Sequence, residues 1–146
     1  MKRQTIITIL SYLLSILFIY AGTAKAMDYK IFVADIAKSP LLGNFNNVVI
    51  APIVLGLEFL TAVLLQFKAT TRIGFYFSSF LMLMFTLYMG TLYFFYTNIP
   101  CSCGGILGKM SYPVHIIFNL VFAILSFTGA MLAAYPADDR QEGRLA

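Results

Sequence analysis

Two cysteines, Cys101 and Cys103, stand one residue apart in the segment Asn98-Ile-Pro-Cys-Ser-Cys-Gly-Gly105 and are the only thiols in the chain. Three readings suit them. In the plainest they are two unrelated small residues, although a loop flanked by proline and glycine offers no core for thiols to fill. In the second they join Met110 and His115 as a soft-metal set for Cu(I), which favours thiolate and thioether ligands. Only one histidine is available, and the paired C-x2–4-C spacing of structural zinc sites is absent. In the third the pair is redox-active. A bond between residues i and i+2 closes a small, strained ring, and strained, exposed disulfides are the labile or catalytic ones. Gly104 and Gly105 then free the backbone for a partner's close approach. A structural staple makes little sense, because so short a loop excludes few unfolded conformations.

The elements that must position this pair follow from the distribution of charge. The 146 residues are 60% hydrophobic and 11% charged, with six acids against ten bases. Soluble domains run nearer ~25% charged. A mean hydropathy of +0.86 excludes disorder and a coiled coil. The net charge of +4 comes from scattered bases, which excludes a nucleic-acid-binding module. No Asp, Glu, Lys or Arg occurs at 4–24, 73–108 or 110–137, and Glu58 is the only charge at 39–67. An apolar stretch of about 18 residues or more reads as a transmembrane helix, since a rise of ~1.5 Å per residue must cross ~30 Å of hydrocarbon. Four spans are therefore expected, near 5–23, 48–66, 73–96 and 114–135, in one all-α membrane domain that fills the chain. The stretch at 136–146 is a polar tail. Lys2 and Arg3 before the first apolar run mimic a signal peptide, but that run exceeds the usual core of about 7–15 residues, so it reads as a retained span.

The Lys and Arg bias sets orientation. With both termini cytoplasmic, the inner side carries Lys2, Arg3, Lys68, Arg72, Arg140 and Arg144. The outer side then carries Lys25, Lys30, Lys38 and Lys109. This places the cysteine loop outside a bacterial inner membrane, where disulfides form and persist. In the longest connection, 27–47, Ile31, Phe32, Ile36 and Leu41 alternate with Lys30, Asp35 and Lys38, as in an interfacial amphipathic helix. Ser39-Pro40 should end it, because the residue before a proline disfavours the α region.

The polar residues within the spans are the remaining candidates. Glu58 lies about ten residues into the second span, and an acid at that depth is by default a functional residue with a partner. Its candidate partners are Lys25, if the first helix continues past Gly22, the hydroxyls of Tyr88 and Tyr93, or His115. A buried clasp between helices and a proton relay both suit it. His115 opens the fourth span, with Asn119 one turn on and Ser126 further down the same face. The plain role for His115 is structural hydrogen bonding. The chemical one is to stabilise a thiolate or move its proton, because it follows Cys103 by twelve residues on the same side.

Five segments in order carry a family resemblance: Gly22-Thr-Ala-Lys25, Gly56-Leu-Glu-Phe-Leu60, Phe85-Thr-Leu-Tyr88, Cys101-Ser-Cys-Gly-Gly105 and His115-Ile-Ile-Phe-Asn119. Together they resemble the MauE branch of the DoxX-like membrane proteins over about residues 5–135. The resemblance implies a four-helix membrane bundle with a redox-associated role. MauE-like proteins are linked with methylamine dehydrogenase maturation beside a thioredoxin-like partner, and DoxX relatives with thiosulfate:quinone chemistry. Cys101 and Cys103 carry over as the redox pair. Lys25, Glu58, His115 and Asn119 match family positions without an assigned task. The function expected is a thiol–disulfide oxidoreductase of the membrane. It would exchange electrons with an extracytoplasmic thioredoxin-like protein and pass them to a quinone, with Glu58 or His115 moving protons. The rivals are the metal-binding protein above and a non-catalytic assembly factor that anchors a redox partner.

Overall fold

The computed structural model describes residues 2–97 and 109–135. All regular structure among the described residues is helical: α1 (Arg3–Met27), α2 (Tyr29–Lys38), α3 (Asn47–Gln66), α4 (Thr71–Phe95) and α5 (Tyr112–Ala134). The four long helices have mean hydropathies of 2.0, 2.5, 1.5 and 2.2 over their most apolar stretches. Each has 20 residues or more, enough for ~30 Å of hydrocarbon. They are the four expected spans, and α2 is the expected short amphipathic helix.

The boundaries have local causes. α1 runs one turn beyond the expected Thr23, because Ala24, Lys25, Ala26 and Met27 are all good helix formers. It stops at Asp28, whose backbone (φ −103°, ψ 38°) breaks the ladder for a single residue before α2 starts. α2 ends at Lys38, and Ser39 turns extended ahead of Pro40. α3 starts under the side chain of Asn46, which accepts a hydrogen bond from the Val48 amide at 3.2 Å. Pro113 sits in the first turn of α5, where its missing N–H costs nothing.

Lipid is as apolar as leucine, so helices in a bilayer associate through close packing and interhelical hydrogen bonds. Both are present. Ser15 Oγ donates to the Ala62 carbonyl at 3.2 Å, and Ser11 Oγ donates to the Leu65 carbonyl, joining α1 to α3. Ser78 Oγ meets Ser126 Oγ at 2.8 Å, and Ser79 Oγ donates to the Ala123 carbonyl at 3.1 Å, joining α4 to α5. That second pair packs the most extensively. A Cβ on Gly129 of α5 would lie 2.5 Å from the ring of the fully buried Phe75 of α4, so only glycine lets the two helices meet there. Leu14, Phe18, Leu65 and Phe75 fill the centre.

Arg3 donates a hydrogen bond from Nη2 to the Tyr135 carbonyl, which brings the start of α1 and the end of α5 together. The short turn at 67–70 shares that end, held by Thr70 Oγ1 donating to the Leu64 carbonyl at 2.8 Å. The opposite end carries α2, the last turns of α1 and α4 and the first turn of α5. Residues 98–108, with both cysteines, lie outside the described residues.

Candidate functional site

The extra turn of α1 has a direct consequence. It carries Lys25 against the face of α3, where Lys25 Nζ donates to Glu58 Oε1 at 2.7 Å. Glu58 is 1% exposed and Lys25 8%, so the pair is enclosed by the bundle. Gly22 permits the approach, since a Cβ there would lie 3.0 Å from the Phe59 ring beside Glu58. The ammonium also lies 5.8 Å from the centroid of the Phe85 ring on α4, within reach of a cation–π attraction. Of the partners expected for Glu58, Lys25 is the one joined to it. Tyr93 is instead half-exposed and stacks on Tyr112, with centroids 6.4 Å apart.

α5 brings His115 and Asn119 to the same place. They lie one turn apart on the face turned into the bundle and are 3% and 5% exposed. Ser126 continues that face as expected, and its bond to Ser78 makes it part of helix packing. Lys25, Glu58, His115 and Asn119 all line one cavity of about 240 Å3 in the half of the bundle nearest α2. The rest of its wall is almost wholly apolar, with Phe18, Phe85 and Phe118 among the contributors. Two polar atoms in this lining, Glu58 Oε2 and His115 Nδ1, are buried with no hydrogen-bond partner among the described residues. Buried polar atoms are matched in the great majority of cases, so two orphans in one cavity are a chemical feature.

α2 forms the cavity's cover. Phe32 and Ile36, one turn apart, are buried against Ala51 and its neighbours on α3 and contribute to the lining. Ile31 does not share that face, against expectation: it is 61% exposed, because its neighbour Phe32 takes the inward position. The cover is tied on both sides. Tyr88 Oη on α4 donates to Ser39 Oγ at 2.8 Å, and Asn47 Nδ2 on α3 donates to the Val33 carbonyl at 3.3 Å.

Four of the six expected site residues therefore converge. Cys101 and Cys103 lie outside the described residues, and the soft-metal set of Cys101, Cys103, Met110 and His115 falls partly outside with them. No group of three or more His, Cys, Asp or Glu gathers among the described residues. The aromatic wall and the Tyr88–Ser39 tie escape sequence reasoning. An apolar ring facing a cavity looks the same in sequence as one facing lipid, and the tie joins residues 49 apart in the chain.

The family model described as methylamine utilisation protein MauE matches residues 3–133. No curated protein and no solved structure matches the chain. The matched stretch starts with the first residue of α1 and ends in the last turn of α5, so it takes in all four spans, the cover helix and the four converged polar residues. The chain belongs to the MauE family, as an integral membrane protein of four apolar helices.

Proposed function

We propose that the chain is a membrane thiol–disulfide redox protein of the DoxX-like kind, with Cys101 and Cys103 as its redox pair. The pair exchanges with a thioredoxin-like protein on the extracytoplasmic side of a bacterial inner membrane, and both chain termini lie in the cytoplasm. A thiolate of one partner attacks a disulfide sulfur of the other. The mixed disulfide then resolves, leaving one protein oxidised and the other reduced by two electrons. A quinone in the bilayer closes the cycle: two S–H hydrogens are lost as the S–S bond forms, and the quinone gains them as quinol. The family name places its members in methylamine utilisation, where such a step would serve the disulfides of an exported protein.

One observation carries this reading. Lys25, Glu58, His115 and Asn119 line a single cavity at the end of the bundle that carries α2, the last turn of α4 and the first turn of α5. Groups able to hold and move protons are what proton-coupled disulfide exchange at a thiol pair calls for. Exposed bases support the orientation. Lys25 is drawn into the bundle, so Lys30, Lys38 and Lys109 remain exposed on the α2 side, against Lys2, Arg3, Lys68 and Arg72 at the terminal end, the last three around one hollow.

Trapping tests the function. Cys103→Ser and Cys101→Ser chains, expressed separately, are each examined for a mixed disulfide with an extracytoplasmic protein. At least one should trap a partner with a thioredoxin-like Cys pair. Free thiols in the unmodified chain, with no adduct from either variant, would overturn the redox reading.

A further inference from the structure

We propose that the hollow at the terminal end of the bundle binds the phosphate head of an anionic glycerophospholipid, held by Arg3, Lys68 and Arg72. The hollow encloses about 260 Å3 between the start of α1, the end of α3 and the start of α4. Its three cations come from separate parts of the chain, and its lining holds no acid among the described residues. None of the three meets a carboxylate there either, since the ion pair among the described residues is that of Lys25 with Glu58.

The balance of donors and acceptors points the same way. α3 and α5 end at this hollow, so their carbonyls compete for the cations. Four such acceptors are already engaged. Thr70 Oγ1 donates to the Leu64 carbonyl, Ser11 Oγ to Leu65, Thr71 Oγ1 to Phe67 and Arg3 to Tyr135. Arg3 spends one of its five N–H donors on that bond. The side chains of Lys68 and Arg72 make no hydrogen bond among the described residues. α1 and α4 both begin here, with no acid in the first turn and no side-chain cap, so the positive ends of their dipoles are left uncompensated. A lining of unspent, charged donors suits a ligand that is anionic and rich in acceptors, and a phosphate is both.

Depth separates a lipid from a free phosphate. On α1 the hollow follows Gln4, Ile7, Thr8, Ser11 and Tyr12, one helical face about 12 Å long at ~1.5 Å per residue. The cations occupy its polar end. Ile7 and Leu65 lie deeper, and Tyr12, 57% exposed on a membrane span, stands where the hollow meets lipid. A free phosphate fills the polar end alone. A glycerophospholipid sets its phosphate among the cations and its glycerol and first methylenes along Ile7 and Tyr12, as in other basic pockets between transmembrane helices. The site stands apart from the thiol chemistry proposed above.

Binding is read on the full chain in a nonionic detergent, from the rise of the heat-unfolding midpoint with ligand concentration. The probes are dioleoylphosphatidylglycerol, dioleoylphosphatidylcholine and water-soluble glycerol phosphate. Only the first should raise the midpoint saturably. Lys68→Gln with Arg72→Gln should weaken it about tenfold or more. Thr8→Trp, which fills the hollow and removes no charge, should weaken it as well. Lys30→Gln with Lys38→Gln removes the same charge at the opposite end and should leave the affinity unchanged. All five side chains are exposed, and unliganded midpoints show that the variants fold. An equal response to phosphatidylcholine or to glycerol phosphate, or an equal loss in the two charge pairs, would overturn the site. A flat response to every probe would do so too, and would leave Asp138 and Asp139 of the tail as candidates to meet the cations. The assay needs neither cysteine nor a protein partner, so its failure is separate from a failure to trap a mixed disulfide.

Discussion

Lys25 and Glu58, 33 residues apart in the chain, close to 2.7 Å inside a bundle of apolar helices. The contact joins the last turn of α1 to the middle of α3 and anchors the polar end of the cavity. Removing one partner of a buried ion pair strands the other charge, at a cost of about 3–5 kcal/mol, whereas replacing both by apolar groups of similar size is often neutral. Glu58→Leu and Lys25→Met should each lower the unfolding midpoint of the protein in detergent or nanodiscs. The combined variant should recover most of the loss. A double-mutant cycle with no coupling between the two positions would show that the contact does not hold the helices together.

This pair also shows how far the sequence could be read. The spans were legible because charges are costly in hydrocarbon and leave gaps in the chain that can be counted. That Glu58 needs a partner was legible for the same reason. The choice of Lys25 turned on whether α1 passes Gly22, which the helix formers at 24–27 favour and which the missing Cβ of Gly22 beside the Phe59 ring leaves room for. In α2 the alternation separated apolar from charged residues, yet it did not tell that Phe32 and Ile36 point inward while Ile31 points out. The cavity wall was hidden, because its medium and the bilayer ask for the same side chains.

Gly129 and Gly56 should respond in opposite directions. Gly129→Val places a Cβ 2.5 Å from the ring of Phe75, which is fully buried and has nowhere to turn. Overpacking of this kind costs about 1–3 kcal/mol. Gly56 lies inside α3, and a Cβ added there would meet nothing within 4 Å, so Gly56→Ala should gain about 0.4–1 kcal/mol by restricting the unfolded chain. Unfolding midpoints of the two variants check the pair of signs.

The cover helix offers a third test. Tyr88 Oη holds Ser39 at 2.8 Å just past the end of α2, next to the buried Phe32 and Ile36. Tyr88→Phe removes that bond and leaves the ring, at a cost of about 1 kcal/mol. Fluctuation of α2 away from α3 should then rise. Hydrogen exchange reads this directly: amides of α2 should exchange faster in the variant while those of α5 stay unchanged. Equal acceleration in both helices would mean that the bond supports the whole bundle and not its cover.

Orientation can be read from the two ends of the bundle. Arg3, Lys68 and Arg72 border one hollow at the end where α1 begins and α5 finishes, and Lys109 lies at the other end, one turn before α5. Retention of basic residues on the cytoplasmic side predicts that the first group faces inward. In a background with both cysteines changed to serine, Lys68→Cys should react with a membrane-impermeant maleimide only after the cells are opened. Lys109→Cys should react in intact cells. The reverse pattern would put residues 98–108 in the reducing cytoplasm, where a labile disulfide does not persist. Reaction of both in intact cells would mean that the chain inserts in two orientations, and the thiol chemistry would then be confined to the fraction with Lys109→Cys outside.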